Sequence, residues 1–197
     1  MDNLELTEAE NKRLIEYFPF LQPRNVWTGE IPEDYDYTYI NGVGDLPYGW
    51  ERLFLLYAKH LKIELDKHNF TEKFRFTQIK EKYGDMRLYN EGFPKNSDCD
   101  KLESIYSYLS TYVCQTCGKP ALYQSHGWIE QECEEHKSEN SEKKSIQKDY
   151  VTIKRFSIDG TREVKIPCKD YWDEYLTCLN MSKEDFLNYI ITTDEGK

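Results

Sequence analysis

The chain has 197 residues, 39% of them hydrophobic, with 36 acidic against 26 basic side chains and a formal net charge of −10. That length holds one domain, or one domain plus a small module, and 16 Tyr, 9 Phe and 4 Trp supply the ring area for a real core. The charge argues against a general nucleic-acid binder, which needs a net basic face to release counterions. Acid is unevenly spread. Residues 1–47 carry ten Asp/Glu against three Lys/Arg, whereas residues 71–90 carry five Lys/Arg against three Asp/Glu, which leaves room for a local basic patch on an acidic body. The opening MDNLELTEAE has no apolar signal-peptide stretch, and no apolar run approaches the ~18 residues of a membrane helix. Six Cys without a secretion signal point to reduced thiols and a cytoplasmic setting.

The elements follow in chain order. Residues 7–18 read as a helix, with Thr7 and Glu10 spaced as a capping box, Leu6 as a staple and Pro19 as the stop. Residues 19–47 hold four prolines and three glycines among aromatic residues, a long irregular segment that wraps the domain or serves function. In residues 48–68, Trp50, Leu53, Phe54, Tyr57, Leu61 and Leu65 repeat at three and four residues and give a helix with one apolar face. Residues 73–90 alternate as two strands about a Tyr83-Gly84-Asp85 turn. A helix over 98–113, with Asp100 and Glu103 as its capping box, delivers the chain into Cys114. Residues 137–149 are polar and read as a linker or exposed loop. Beyond it come a hairpin over 150–167, turning at Asp159-Gly160, and short helices over 169–180 and 183–192, the second capped by Ser182. The expected class is α+β, a small antiparallel sheet packed by two or three helices with a zinc-ribbon or treble-clef-like module. The division is 1–113 as core with an N-terminal wrapping segment, 114–136 as zinc module, 137–149 as linker and 150–197 as hairpin plus helices.

The sharpest chemical signal is CQTCGKPALYQSHGWIEQECEEH. Cys114 and Cys117 are spaced C-x2-C, Cys133 and His136 C-x2-H, with fifteen residues between the two halves. Cys3His is a closed tetrahedral set for one structural Zn2+, and Gly118 supplies the permissive backbone that a tight metal knuckle needs. Four protein ligands leave no open position for water or substrate, so the ion's binding energy becomes folding energy. Cys99, Cys168 and Cys178 read as ordinary reduced side chains.

Three blocks occur in one order: Gly49-Trp50-Glu51-Arg52-Leu53-Phe54, then Gln78 through Tyr89 around Lys80-Glu81-Lys82-Tyr83-Gly84, then the Cys114–His136 segment with Gly127-Trp128. This pattern resembles a group of small phage- and prophage-associated bacterial proteins, over roughly residues 14–136. The resemblance implies a mobile-element or gut-bacterial cytoplasmic protein and implies no activity. It departs at Met86-Arg87-Leu88, where the group has an apolar-Arg-Phe run, and residues 137–197 inherit nothing from it.

Lys80, Lys82 and Arg87 can share one face of the hairpin and hold a phosphate or carboxylate; the plainer reading is a charged hairpin with cross-strand pairs. No phosphate loop, serine elbow or His-Glu metal helix is present, so no catalytic residue is assigned. The expected function is that of a non-enzymatic, zinc-stapled binding protein, a phage or mobile-element inhibitor or decoy that meets a host or bacterial protein, or a small anionic ligand. Trp27, Tyr35, Tyr37, Tyr39 and Trp50 are its candidate contact residues. The alternatives are a nucleotide- or nucleic-acid-acting enzyme using the Lys80/Lys82/Arg87 turn, and a nucleic-acid-binding regulator.

Overall fold

The structure, a computed structural model, describes residues 4–145, 147–157 and 160–192; within 154–160 and at 162 nothing is said of side chains. Helix α1 (Glu8–Tyr17) begins at the capping box its sequence announces: the Thr7 hydroxyl accepts from the Glu10 N–H at 3.3 Å while the Thr7 N–H donates to the Glu10 carboxylate at 2.7 Å. Short 3-10 turns at Pro19–Leu21 and Tyr48–Trp50 bracket the irregular segment. There follow α2 (Glu51–Lys67), the hairpin β1 (Phe76–Lys82) and β2 (Asp85–Asn90), and α3 (Cys99–Ser110). Three two-residue strands, β3 (Tyr123–Gln124), β4 (Gln131–Glu132) and β5 (Glu142–Lys143), form a small sheet in the order β4-β3-β5. The antiparallel pair β6 (Tyr150–Ser157) and β7 (Gly160–Pro167) leads to α4 (Lys169–Leu179) and α5 (Lys183–Ile191). The class is α+β, five helices with small antiparallel sheets among the described residues. The expected turn residue Asp159 lies outside the described residues.

Helix α2 is the axis of the molecule, packed by α3, α4 and α5. Its expected apolar face is buried, but so are Leu55, Leu56 and Ala58, and with them Arg52 and Lys59. The C-terminal helices cover this second face. The Arg52 guanidinium donates to the Cys178 carbonyl at 3.0 Å and lies 4.7 Å from the Phe186 ring centre, and the Lys59 ammonium sits 3.6 Å from that of Tyr189. Cations over aromatic faces make a charged stripe compatible with burial. One core cluster therefore runs from Leu4 to Ile190, and it takes in Val151, Ile166, Trp172, Tyr175, Phe186 and Ile190 from the C-terminal part of the chain.

One expectation is corrected and a second is extended. Helix α3 starts at Cys99, so Asp100 and Glu103 lie inside it and form no capping box; Glu103 instead accepts from the Asn90 side chain at 2.8 Å. The segment 137–149 is exposed over much of its length but is more than a linker. It supplies β5, and Lys144 turns inward to donate to the Thr111 carbonyl and the Gln131 side chain, 5.5 Å from the Tyr112 ring centre.

Candidate metal centre

Helix α3 ends at Ser110 and the chain turns directly into a knuckle. The Gly118 N–H donates to the Cys114 carbonyl at 2.9 Å and the Cys114 N–H to the Lys119 carbonyl at 2.8 Å, a tight loop that turns both thiols to one side. Gly118 has φ +76°, the left-handed conformation that glycine adopts without penalty. On the other side of β3 and β4, a turn closed from His136 N–H to Cys133 carbonyl at 3.2 Å presents the second pair. The four ligand atoms lie within 4.8 Å of one another. Cys117 Sγ and Cys133 Sγ are 3.7 Å apart, and His136 Nδ1 is 3.3 Å from Cys133 Sγ and 3.7 Å from Cys114 Sγ. Cys114 and Cys133 are buried and His136 is exposed, so one edge of the site meets solvent. Three thiols and an imidazole at these separations form a set able to hold one metal ion. Cys99, Cys168 and Cys178 are buried free thiols outside that cluster.

The surroundings of the knuckle come from three distant parts of the chain. Gly49 N–H donates to the Gln115 carbonyl at 2.9 Å, the Trp50 indole N–H to the Val113 carbonyl at 2.8 Å, and the Tyr175 hydroxyl to the Gly118 carbonyl at 2.7 Å. A side chain at Gly49 would meet the Cys114 carbonyl oxygen at 2.0 Å and the Gly118 nitrogen at 2.5 Å, so only glycine lets these backbones touch. The β1–β2 turn docks on the same module, with the Gln131 side chain donating to the Gly84 carbonyl at 2.9 Å. The three sequence blocks thus meet around one cluster. Trp50 is fully buried, which corrects its expected place on a contact surface: its ring fills the core and its one polar atom is spent on Val113.

Lys80, Lys82 and Arg87 do share the outer face of the hairpin, with Lys80 opposite Arg87. They do not converge on an empty anion seat. Arg87 pairs with Asp85 at 3.0 Å, Lys80 donates to Gln78 at 2.6 Å and lies over the Tyr89 ring, and Lys82 lies over the Tyr83 ring.

The remaining candidate contact residues divide. Tyr35, Tyr37 and Tyr39 cluster, with ring centres 5.1 and 5.3 Å from Tyr35, and Tyr35 and Tyr37 lean on the core. Trp27 is 94% exposed and its neighbour Val26 60%. Their loop is nevertheless ordered from within. The Asn25 carboxamide oxygen accepts from the Trp27 and Thr28 N–H groups at 2.8 and 3.1 Å, the Asn25 N–H donates to the Glu30 carbonyl at 2.9 Å, and Arg24 donates to the Gly29 carbonyl at 2.9 Å. Among the described residues, no helix is long and apolar enough to cross a membrane.

No protein-family model matches the chain, and no curated protein or solved structure matches it either. A functional reading therefore rests on the residues themselves.

Proposed function

We propose that the chain is a non-enzymatic binding protein of a phage or mobile element, stapled by one zinc ion and directed at a host protein. Zinc is the ion the ligand set suits best. Tetrahedral zinc with Zn–S near 2.3 Å and Zn–N near 2.05 Å requires S–S edges of about 3.8 Å and S–N edges of about 3.6 Å; three of the cluster's six edges are 3.7 Å for Cys117–Cys133 and 3.3 and 3.7 Å for His136 to Cys133 and Cys114, and all lie within 4.8 Å. Thiolate-rich sets reject magnesium and calcium. With all four positions filled by protein, the ion holds the fold and offers no site to a substrate.

The observation that carries the binding reading is the Asn25-braced loop that holds Trp27 almost wholly in solvent. A tryptophan displayed on pre-ordered backbone, with little left to lose in conformational freedom, is the kind of residue that dominates protein interfaces. The enzymatic alternative draws no support from the β1–β2 turn, whose arginine is tied to Asp85. The test is affinity purification from the host with the parent chain and with Trp27→Ala. The parent should recover one host protein in stoichiometric amount, and the variant should lose it while keeping the parent's melting temperature and one zinc per chain. Equal recovery by both chains, or turnover of a nucleotide panel by the purified protein, would overturn the reading.

A further inference from the structure

Behind the Trp27 loop the chain builds a second polar feature that neither the metal cluster nor the outer hairpin face uses. Two adjoining clefts, of about 220 and 250 Å3, share Arg24, Asn41, Phe76 and Thr77 in their walls. The first also takes in Lys73 and Arg75, which places three cations from two distant segments around one opening, with Glu91 as its one acidic wall residue. The second includes Asp45, whose carboxylate is spent on the Gly42 N–H at 2.9 Å.

Three observations set these cations apart. The Arg24 Nε atom is buried and has no hydrogen-bond partner, a state that costs the fold unless an acceptor arrives. The bonds the guanidiniums do make, Arg24 to the Gly29 carbonyl at 2.9 Å and Arg75 to the Phe74 carbonyl at 2.6 Å, go to neutral backbone oxygens and neutralise neither charge. Several lysines elsewhere on this acidic chain pair with carboxylates, as Lys67, Lys119 and Lys183 do. Finally, the two guanidiniums repel each other. Burial first, then the Arg24 charge, pulls Arg75 below its ordinary value, and Glu72 and Glu91 only partly offset this. Like charges held together in a half-enclosed cleft are stabilised by an anion between them.

We infer that the cleft walled by Arg24, Lys73 and Arg75 is a binding site for a phosphate dianion, free or carried as a monoester by a small molecule. Glu91 in the wall and Glu72 beside Arg75 offset part of the charge of the three cations, so the opening keeps a positive excess that an anion neutralises. A guanidinium fork matches the oxygen spacing of phosphate, and Asn41 and Thr77 offer neutral polar groups beside it. The inference deepens the binding-protein reading by naming a ligand chemistry, and it moves the anion site from the Lys80–Arg87 face to residues that sequence spacing did not connect.

The test is calorimetric titration of the zinc-loaded full chain with inorganic phosphate and with a nucleoside 5′-monophosphate, at constant ionic strength and with acetate as the monoanionic control. Saturable one-to-one binding of phosphate is expected, at least tenfold tighter than acetate, with at least a tenfold loss in Arg75→Gln and a smaller loss in Lys73→Gln. A monophosphate that binds tighter than free phosphate assigns the site to an organic phosphate; equal affinities assign it to the free ion. No saturable binding of either would overturn the inference, as would parental affinity in both variants. Should Arg75→Gln fail to fold, Lys73→Gln decides alone, because its exposed side chain carries no packing and unchanged affinity then counts against the site. Trp27→Ala is expected to keep the phosphate affinity, so this inference and the host-protein reading can fail separately.

Discussion

Two glutamates show how far single residues in this fold stand from their behaviour in water. Glu51, at the start of α2, is buried and accepts only the Gly44 N–H, at 3.2 Å. Burial pushes its carboxyl up to about 7, against a small opposing pull from that bond. Glu103 on α3 is likewise pushed up to about 7 by burial, with the Asn90 bond working against the shift and the Asp100 charge adding to it. In the unfolded chain each titrates near 4.5. Between pH 4.5 and about 7 the native state holds protons that the unfolded chain has lost, so stability falls as pH rises through this window. Above it the cost of two buried, poorly compensated carboxylates stands in full. Glu51→Gln and Glu103→Gln keep the accepting oxygen and remove the charge. Each should stabilise the protein at pH 8, by about 1–3 kcal/mol, and the gain should vanish near pH 4.5. Urea denaturation of variant and parent with zinc in excess, at pH 8 and at the lowest pH at which metal analysis still finds one zinc per chain, checks this, with the gain shrinking between the two. A gain of the same size at both pH values would mean that charge burial is not its source.

Around the metal knuckle, two of the contacts between elements are made at glycines. The 3-10 lead-in to α2 lies backbone to backbone on the metal knuckle at Gly49, and the β1–β2 turn lies against Ile129 and Gln131 at Gly84. The two contacts differ in what can yield. A methyl group at Gly49 collides with the Cys114 carbonyl and the Gly118 nitrogen, both backbone, whereas at Gly84 its two nearest neighbours are side-chain atoms, the Ile129 Cγ2 methyl and the Gln131 carboxamide nitrogen. Gly49→Ala should therefore cost at least about 2 kcal/mol and lower metal affinity. Gly84→Ala, whose φ of +70° is tolerable only at modest expense, should cost about 1 kcal/mol and leave metal stoichiometry at one. Denaturant melts with metal analysis rank the two, and parental stability in Gly49→Ala would remove the close approach from the account. This division also explains what the sequence made legible. Most local signals were readable, the Thr7–Glu10 box, the paired ligands at short spacing and the strand alternation around Tyr83-Gly84, although the Asp100–Glu103 pair mimicked a capping box inside α3. Signals that depend on a distant partner were not. Arg52 and Lys59 look like a solvent face until Phe186 and Tyr189 are laid over them. Lys144 looks like linker until it reaches Thr111. Arg24 and Arg75, fifty-one positions apart, look unrelated until the fold puts them in one wall.

At the scale of the whole molecule, the question is whether the metal holds only its own module or the entire chain. The cluster lies between the two ends of the fold. Gly49 and Trp50 bind it from the front of α2, and Tyr175 binds it from α4 through the Gly118 carbonyl. Both helices also belong to the one core cluster that runs from Leu4 to Ile190. Structural zinc contributes on the order of 10–16 kcal/mol of apparent binding energy in small modules, as much as the entire stability of a typical domain, about 5–15 kcal/mol. If the cluster holds zinc as proposed, loss of the ion removes more than the knuckle can sustain, and each bond to the knuckle carries the loss onward. Chelation at neutral pH should collapse the molecule in one transition, with amide hydrogen exchange rising in α2 and α4 together with residues 114–144. Cys133→Ser should behave as the chelated chain does without chelator, because it removes a buried ligand that touches both Cys117 and His136. If exchange rises only within 114–144 while α2 and α4 keep their protection, the module is an appendage. The Gly49, Trp50 and Tyr175 bonds would then be contacts of convenience between parts that fold apart.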